Sequence, residues 1–189
     1  PPPRVQAASI AGRWLPDYAF LHFFELMSQL ANEKSRAAKQ AFVETESPGA
    51  QCVPHPLPQR LGHPHVNDIE VLDDRIIITA ETESEQRIIY LDGRGHPENA
   101  EPTSRGHSIG HWEGDTLVVE TTNYNDRGMI ASSAAGGRLK GVPVTENLRA
   151  VERFTRVSED TIIWEVTITD PDIYTQPFTI SMPLTRDDE

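Results

Sequence analysis

The chain has 189 residues and a formal charge of −12, its 17 basic residues dispersed among 29 acidic ones. That balance argues against a nucleic-acid or anionic-membrane partner, both of which need clustered Lys/Arg, and no apolar run approaches the about 18 residues of a membrane-spanning helix. One domain with a substantial core, residues 1–189, is expected at this length.

The single cysteine, Cys52, excludes an internal disulfide, a cysteine-based zinc site and a CxxC redox pair. It reads as a small core residue or a surface thiol. The chain opens Pro1-Pro2-Pro3 without an initiator Met, so it is expected to be processed or trimmed, and removal of a secretory signal would leave such a start.

Residues 1–43 read as an N-terminal arm and helix. An edge strand is expected at Ser9–Leu15, and Pro16-Asp17 supplies a turn and a helix cap. From Tyr18 to Val43 the pattern is helical, with Phe20, Phe24, Met27, Ala31, Ala38 and Phe42 mostly at steps of three or four. One or two helices packing that stripe on something flat are expected, in preference to a cofactor site.

Residues 44–67 hold Pro48, Pro54, Pro56, Pro58 and Pro64 with Gly49 and Gly62, which makes them an ordered crossing loop. His63-Pro-His65 offers two imidazoles, but a metal needs further ligands. No metal and no cofactor are expected.

Residues 68–189 read as a β-meander. Strands are expected at Asp68–Leu72, Arg75–Glu81, Gln86–Leu91, Ser108–Glu113, Thr116–Thr122, Asn147–Val157, Thr161–Thr169 and Phe178–Leu184. Their turns are Asp73-Asp74, Glu83–Glu85, Glu113-Gly114-Asp115 and Ser158-Glu159-Asp160, with a wider one at Asp170-Pro171-Asp172. Alternation is clearest where Ile162, Trp164, Val166 and Ile168 oppose Ile163, Glu165, Thr167 and Thr169. The fold class is therefore mainly β. It is an antiparallel up-and-down barrel, lipocalin-like, or a strongly curved sheet, with an N-terminal helical segment.

Three places carry chemistry-bearing side chains. His107, His111 and Glu113 share one face of a strand, with Ser108, Gly110 and Trp112 on the other. The first face is either a polar exterior or the floor of an acid/base site, in which burial and proximity would tune the imidazoles. The second place is Tyr90-Leu-Asp92-Gly-Arg94-Gly-His96, past a strand end, where Arg94 is suited to clamp an anion. Its plain alternative is a turn held by an Asp92–Arg94 pair. The third is the Met129–Gly141 loop, long enough for a lid or binding segment and equally readable as a flexible connection.

Asp92-Gly93-Arg94 with His96-Pro97, then Gly106-His107-Ser108-Ile109-Gly110-His111-Trp112-Glu113-Gly114-Asp115-Thr116-Leu117-Val118-Val119, resembles a large group of uncharacterised exported bacterial proteins with a GHSxGxWEGDTLVV motif. The likeness continues at Val151-Glu152-Arg153-Phe154 and at Val166–Pro171, and covers roughly residues 50–185. It implies a periplasmic or secreted protein and carries over no activity. Members often have Arg in the place of His111, which speaks less for that histidine than for His107. They also tend to continue beyond the position of Glu189 into a segment with a cysteine, which implies a lost partner for Cys52. At the level of fold alone, the hairpin also looks like strands of lipocalin-like barrels.

The first functional expectation is binding of a small, largely apolar molecule in the barrel interior, with Tyr90, Asp92, Arg94, His96, Trp112 and Trp164 as contacts. The second is a cofactor-independent acid/base enzyme (isomerase, cyclase, lyase or hydrolase). In it His107 is the base or acid, Glu113 its partner carboxylate, His111 a further candidate and Arg94 an anion stabiliser. A structural or assembly protein is the third, and a homo-oligomer stays open. The expected partner is a small-molecule ligand or substrate, with no nucleic acid and no membrane span.

Overall fold

The computed structural model describes residues 9–17, 23–57, 65–81, 86–130 and 140–188, with the side chains of Phe23 and Phe24 left aside. The elements are β1 (Gly12–Pro16), α1 (Phe23–Leu30), α2 (Glu33–Gln40), β2 (Asn67–Val71), β3 (Arg75–Ala80), β4 (Arg87–Tyr90), β5 (His107–Glu113), β6 (Thr116–Thr122), β7 (Arg149–Arg156), β8 (Thr161–Thr169) and β9 (Phe178–Arg186). The expected turn at Glu83–Glu85, the helix start at Tyr18–His22, His63 and most of the Met129–Gly141 loop fall outside the described residues.

The strands form one closed barrel in sequence order, compatible in architecture with a lipocalin-like barrel. Closure is made by Trp14, which pairs with Asn67 of β2 on one side and Arg186 of β9 on the other. Period-two patterning decides which way each strand faces. Ile162, Trp164, Val166 and Ile168 of β8 are buried, as are Phe178, Ile180, Met182 and Leu184 of β9, while their neighbours are half-buried or exposed. The interior is packed with large side chains, Trp14, Phe154 and Trp164 among them, each at most 1 % exposed. Removing the apolar surface of such groups from water is the main stabilising term.

One pairing departs from an all-antiparallel meander. β4 and β5 run parallel. A parallel neighbour needs a crossover, and residues 91–106, broken by Gly93, Gly95, Pro97 and Pro102, supply it as a strap. The strap leaves one end of the barrel after Tyr90 and regains the other before His107. On its way it passes β6, with His96 beside Glu120, and the residues just after it, where Asn123 donates through Nδ2 to the Glu101 carbonyl at 3.3 Å and Thr103 bridges to Tyr124.

The helical segment is two helices, not one, divided at Ala31-Asn32. Asn32 explains the division. Its side chain accepts from Ser35 N at 3.0 Å as the cap of α2, worth about 1 kcal/mol. Its Nδ2 donates to the Asp172 carbonyl at 2.8 Å and its N to Ile173 O at 2.9 Å, which moors the helices to the β8–β9 turn. Met27 reaches the core from there. Cys52 is exposed, a surface thiol rather than a core residue. No described helix is long and apolar enough to cross a membrane.

Candidate functional site

The β4–β5 ladder consists of only Ile89 opposite Ser108 and Tyr90 opposite Ile109. Beside it, towards the end where both strands begin, lies a cleft of about 540 Å³. Arg87 and Ser108 belong to its floor, Ile88, Tyr90 and His107 to its walls, and Thr103–Gly106 with Asn125 to its rim. That volume lies within the range of small-molecule pockets. Gly106 turns the strap into β5 at φ +70°, and a Cβ there would stand 2.5 Å from the Thr122 carbonyl oxygen. Only glycine fits this corner.

The floor is the outer edge of a polar network sealed inside the barrel. Arg87 is 4 % exposed and Glu152 not at all. Arg87 Nη1 donates to Glu152 Oε1 at 3.0 Å, and Nη2 pairs with Oε2. Arg87 Nη2 also donates to Thr121 Oγ1 at 3.0 Å, Nε donates to Ser108 Oγ at 3.2 Å, and Trp164 Nε1 donates to Glu152 Oε1 at 3.1 Å. Burial opposes the charge on Arg87, but the Glu152 carboxylate overcomes it and leaves the guanidinium more firmly protonated than usual. Burial pushes the Tyr124 hydroxyl well above the ordinary phenol range. That hydroxyl lies beside Thr121, Arg87 and Glu152 without a hydrogen bond of good geometry among the described residues.

A second set of side chains runs along the outer face. Arg94 of the strap lies over the Tyr90 ring, 4.0 Å from its centroid, while its Nε donates to Asp92 Oδ1 at 2.9 Å. Tyr90 stacks on His107 with centroids 5.4 Å apart and planes 21° apart. His107 Nδ1 meets His96 Nδ1 at 2.9 Å. His96 Nε2 is 3.3 Å from Glu120 Oε1, within ion-pair distance but off the line of a well-formed hydrogen bond. Glu120 in turn pairs with Arg149. The Arg94 guanidinium bonded to Asp92 holds that carboxyl down at about 2. Burial, then His96, then Arg94 lower the proton affinity of His107 below its usual value.

The structure thus brings Tyr90, Asp92, Arg94, His96 and His107 together. It places His111 and Glu113 elsewhere, exposed towards the far end of β5, where Glu113 Oε1 is 3.2 Å from His111 Nε2 and Oε2 is 3.0 Å from Arg153. Glu113 is therefore not the partner of His107. Sharing a strand face does not bring residues six apart together, since each residue adds about 3.3 Å. The whole His107, His111, Glu113 face points out of the barrel. Ser108 and Trp112 are on the inner face, Trp112 packed at the edge of the core, and Trp164 is inside on Glu152.

Four residues of the site are absent from the candidates that the sequence offers, Arg87, Glu152, Glu120 and Tyr124, although Glu152 lies within the Val151–Phe154 likeness. The first two carried a signal in their parity. Arg87 alternates with buried Ile89, and Glu152 sits between buried Ala150 and Phe154 at steps of two. Opposite charges on otherwise apolar strand faces predict a buried pair, because a lone buried charge is too costly. Glu120 had no such mark, since its partner His96 arrives on the strap. Among the described residues no group of three or more His, Cys, Asp or Glu side chains is arranged to hold a metal ion. No protein-family model matches this chain, and a search of curated proteins finds no match either.

Proposed function

We propose that the protein binds a small molecule, and that the molecule sits in the cleft beside β4 and β5. The observation that carries this is a cleft of about 540 Å³ whose floor is the buried Arg87–Ser108 edge and whose wall is the Tyr90–His107 stack. A rigid polar floor under an aromatic wall suits a ligand with a planar or apolar body and a few oxygen or nitrogen acceptors. The barrel interior, filled by Trp14, Phe154 and Trp164, gives less support as the binding place. Arg94 and His96 stand behind the wall and set its charge. The motif resemblance to exported bacterial proteins supports a periplasmic or secreted carrier.

The test is native mass spectrometry of the protein from its own source, with released compounds identified, beside the Ile88→Trp variant. Ile88 is exposed and lines the cleft, so the larger ring narrows the cleft without touching the core. A compound that co-purifies with the unaltered protein and is lost from Ile88→Trp supports the proposal. Equal retention by both proteins sinks the cleft as the site.

A further inference from the structure

We propose that His107 is a general base acting into the cleft, held in its reactive tautomer by Glu120 through His96, and that its substrate is a small carbon acid. This rests on the reading of the cleft as a small-molecule site and adds a reaction to it. A carbon acid here means a compound whose C–H bond is activated by a neighbouring carbonyl or imine-like group.

The tautomer follows from the geometry. Glu120 stands 3.3 Å from His96 Nε2, and a carboxylate next to a ring nitrogen favours a proton there over a lone pair. In the neutral pair, His96 Nδ1 is then an acceptor. The nitrogen 2.9 Å away, His107 Nδ1, must carry the hydrogen and donate it. What remains on His107 is a lone pair at Nε2, which has no hydrogen-bond partner among the described residues, on a ring that forms part of the cleft wall. A carboxylate that fixes an imidazole tautomer is familiar from hydrolytic triads. Here a second imidazole is interposed, so the carboxylate on β6 acts from one residue further away.

The charged and titratable groups around His107 bear on its basicity. From the strap come His96, Arg94 and, lining the same cleft, Glu101 and Arg105; from β4 come the Tyr90 ring and Arg87 on the cleft floor; from β6 comes Glu120, itself joined to Arg149 of β7. The partial burial of the ring, then His96, then Arg94 disfavour the imidazolium, so the free base predominates near neutral pH. The step needs nothing further. The substrate C–H proton moves to His107 Nε2, and the C–H electron pair shifts into the adjacent acceptor. The imidazolium, still donating through Nδ1 to His96, returns the proton to another atom of the same molecule. Substrate and product are isomers, so no oxidant, reductant or co-reactant is consumed.

The experiment uses 5-nitrobenzisoxazole, whose ring C–H is removed by a base as its N–O bond breaks, giving a nitrile and a coloured phenolate with all atoms kept. The intact protein, His107→Gln, His96→Ala and Ile88→Trp are assayed across pH 5–9 with folding checked by thermal melts. A positioned base is worth about 100-fold or more over a free one. The unaltered protein is expected to show saturable turnover at least about 100-fold above imidazole at equal concentration, and His107→Gln is expected to lose it. His96→Ala is expected to lower kcat, leave KM in place and move the acid limb of the pH profile upwards. Ile88→Trp is expected to raise KM. Saturable turnover that Ile88→Trp weakens but His107→Gln leaves intact overturns the base while sparing the cleft. Binding of the probe, seen by calorimetry, without any turnover does the same. Turnover unchanged by all three variants overturns the base and the cleft together.

Discussion

The guanidinium of Arg87 and the carboxylate of Glu152 meet inside the barrel as a two-pronged pair, Nη1 to Oε1 at 3.0 Å and Nη2 to Oε2, bridging β4 to β7 across the interior. Glu152 is fully buried and Arg87 nearly so, and each is further held by Ser108, Thr121 or Trp164. Such a pair contributes little net stability against an apolar replacement, but breaking one half is expensive.

Arg87→Met is therefore expected to destabilise the fold by about 3–5 kcal/mol, because it strands a buried carboxylate. Adding Glu152→Leu is expected to restore part of that loss, although the Trp164 indole is left without its acceptor. Urea denaturation of both singles and the double measures the coupling. A double mutant that loses the sum of the singles contradicts it.

His107 is expected to titrate below 6.5, its ordinary value. Arg94→Gln removes one of the charges responsible and moves the midpoint upwards, as histidine proton NMR would show. The stability consequence has a definite sign. With the folded value below the unfolded one, the unfolded chain binds the proton first as pH falls. Stability is thus full above about 6.5 and is lost as pH falls through the folded midpoint. A midpoint above 6.5 in the native protein reverses the argument.

Gly106→Ala is expected to cost at least about 2 kcal/mol. The backbone there is left-handed, and the added methyl meets the Thr122 carbonyl at 2.5 Å, a backbone atom that cannot swing aside. Because residue 106 precedes His107, cleft binding should weaken along with the melting temperature. Gly93→Ala has open space around its Cβ and bears only the conformational penalty of φ +80°, so it is expected to be the milder change in the same thermal melts.

Asp170, 2 % exposed, accepts from Thr145 Oγ1 at 2.8 Å and from Thr145 N at 3.0 Å, tying the chain ahead of β7 to the turn after β8. Burial raises its proton affinity above the usual 3.8, against those hydrogen bonds. A raised carboxyl favours the fold most at pH below the unfolded value, and that contribution is lost as pH rises through the folded one. Asp170→Ala leaves the Thr145 N–H without this acceptor and is expected to cost about 1–3 kcal/mol by denaturation. A neutral result assigns that N–H another partner.

The barrel was legible in the sequence because β8 and β9 alternate at a period of two, and hairpins such as Glu113-Gly114-Asp115 fix their own register. The parallel β4–β5 contact was not, because strand direction across sixteen residues of strap leaves no local mark. The same strap explains what was readable of the candidate site. Tyr90, Asp92, Arg94 and His96 formed a cluster in the chain and remain one in space. His107 joins them only because the strap folds back, and Glu120 only because β6 pairs with β5. Glu113 looked closer to His107 in sequence than it is in space, since an extended strand separates what it aligns.

The ring of nine strands has a consequence of pure arithmetic. Directions that alternate up and down can close on themselves only around an even ring, so an odd ring must contain at least one pair of neighbours pointing the same way. In this molecule that unavoidable mismatch falls between β4 and β5, and the cleft, the strap and the paired imidazoles all gather around it. An eight- or ten-stranded relative of the same barrel could alternate all the way round and would be under no obligation to have such a place. The candidate site is, in this sense, housed in a parity defect.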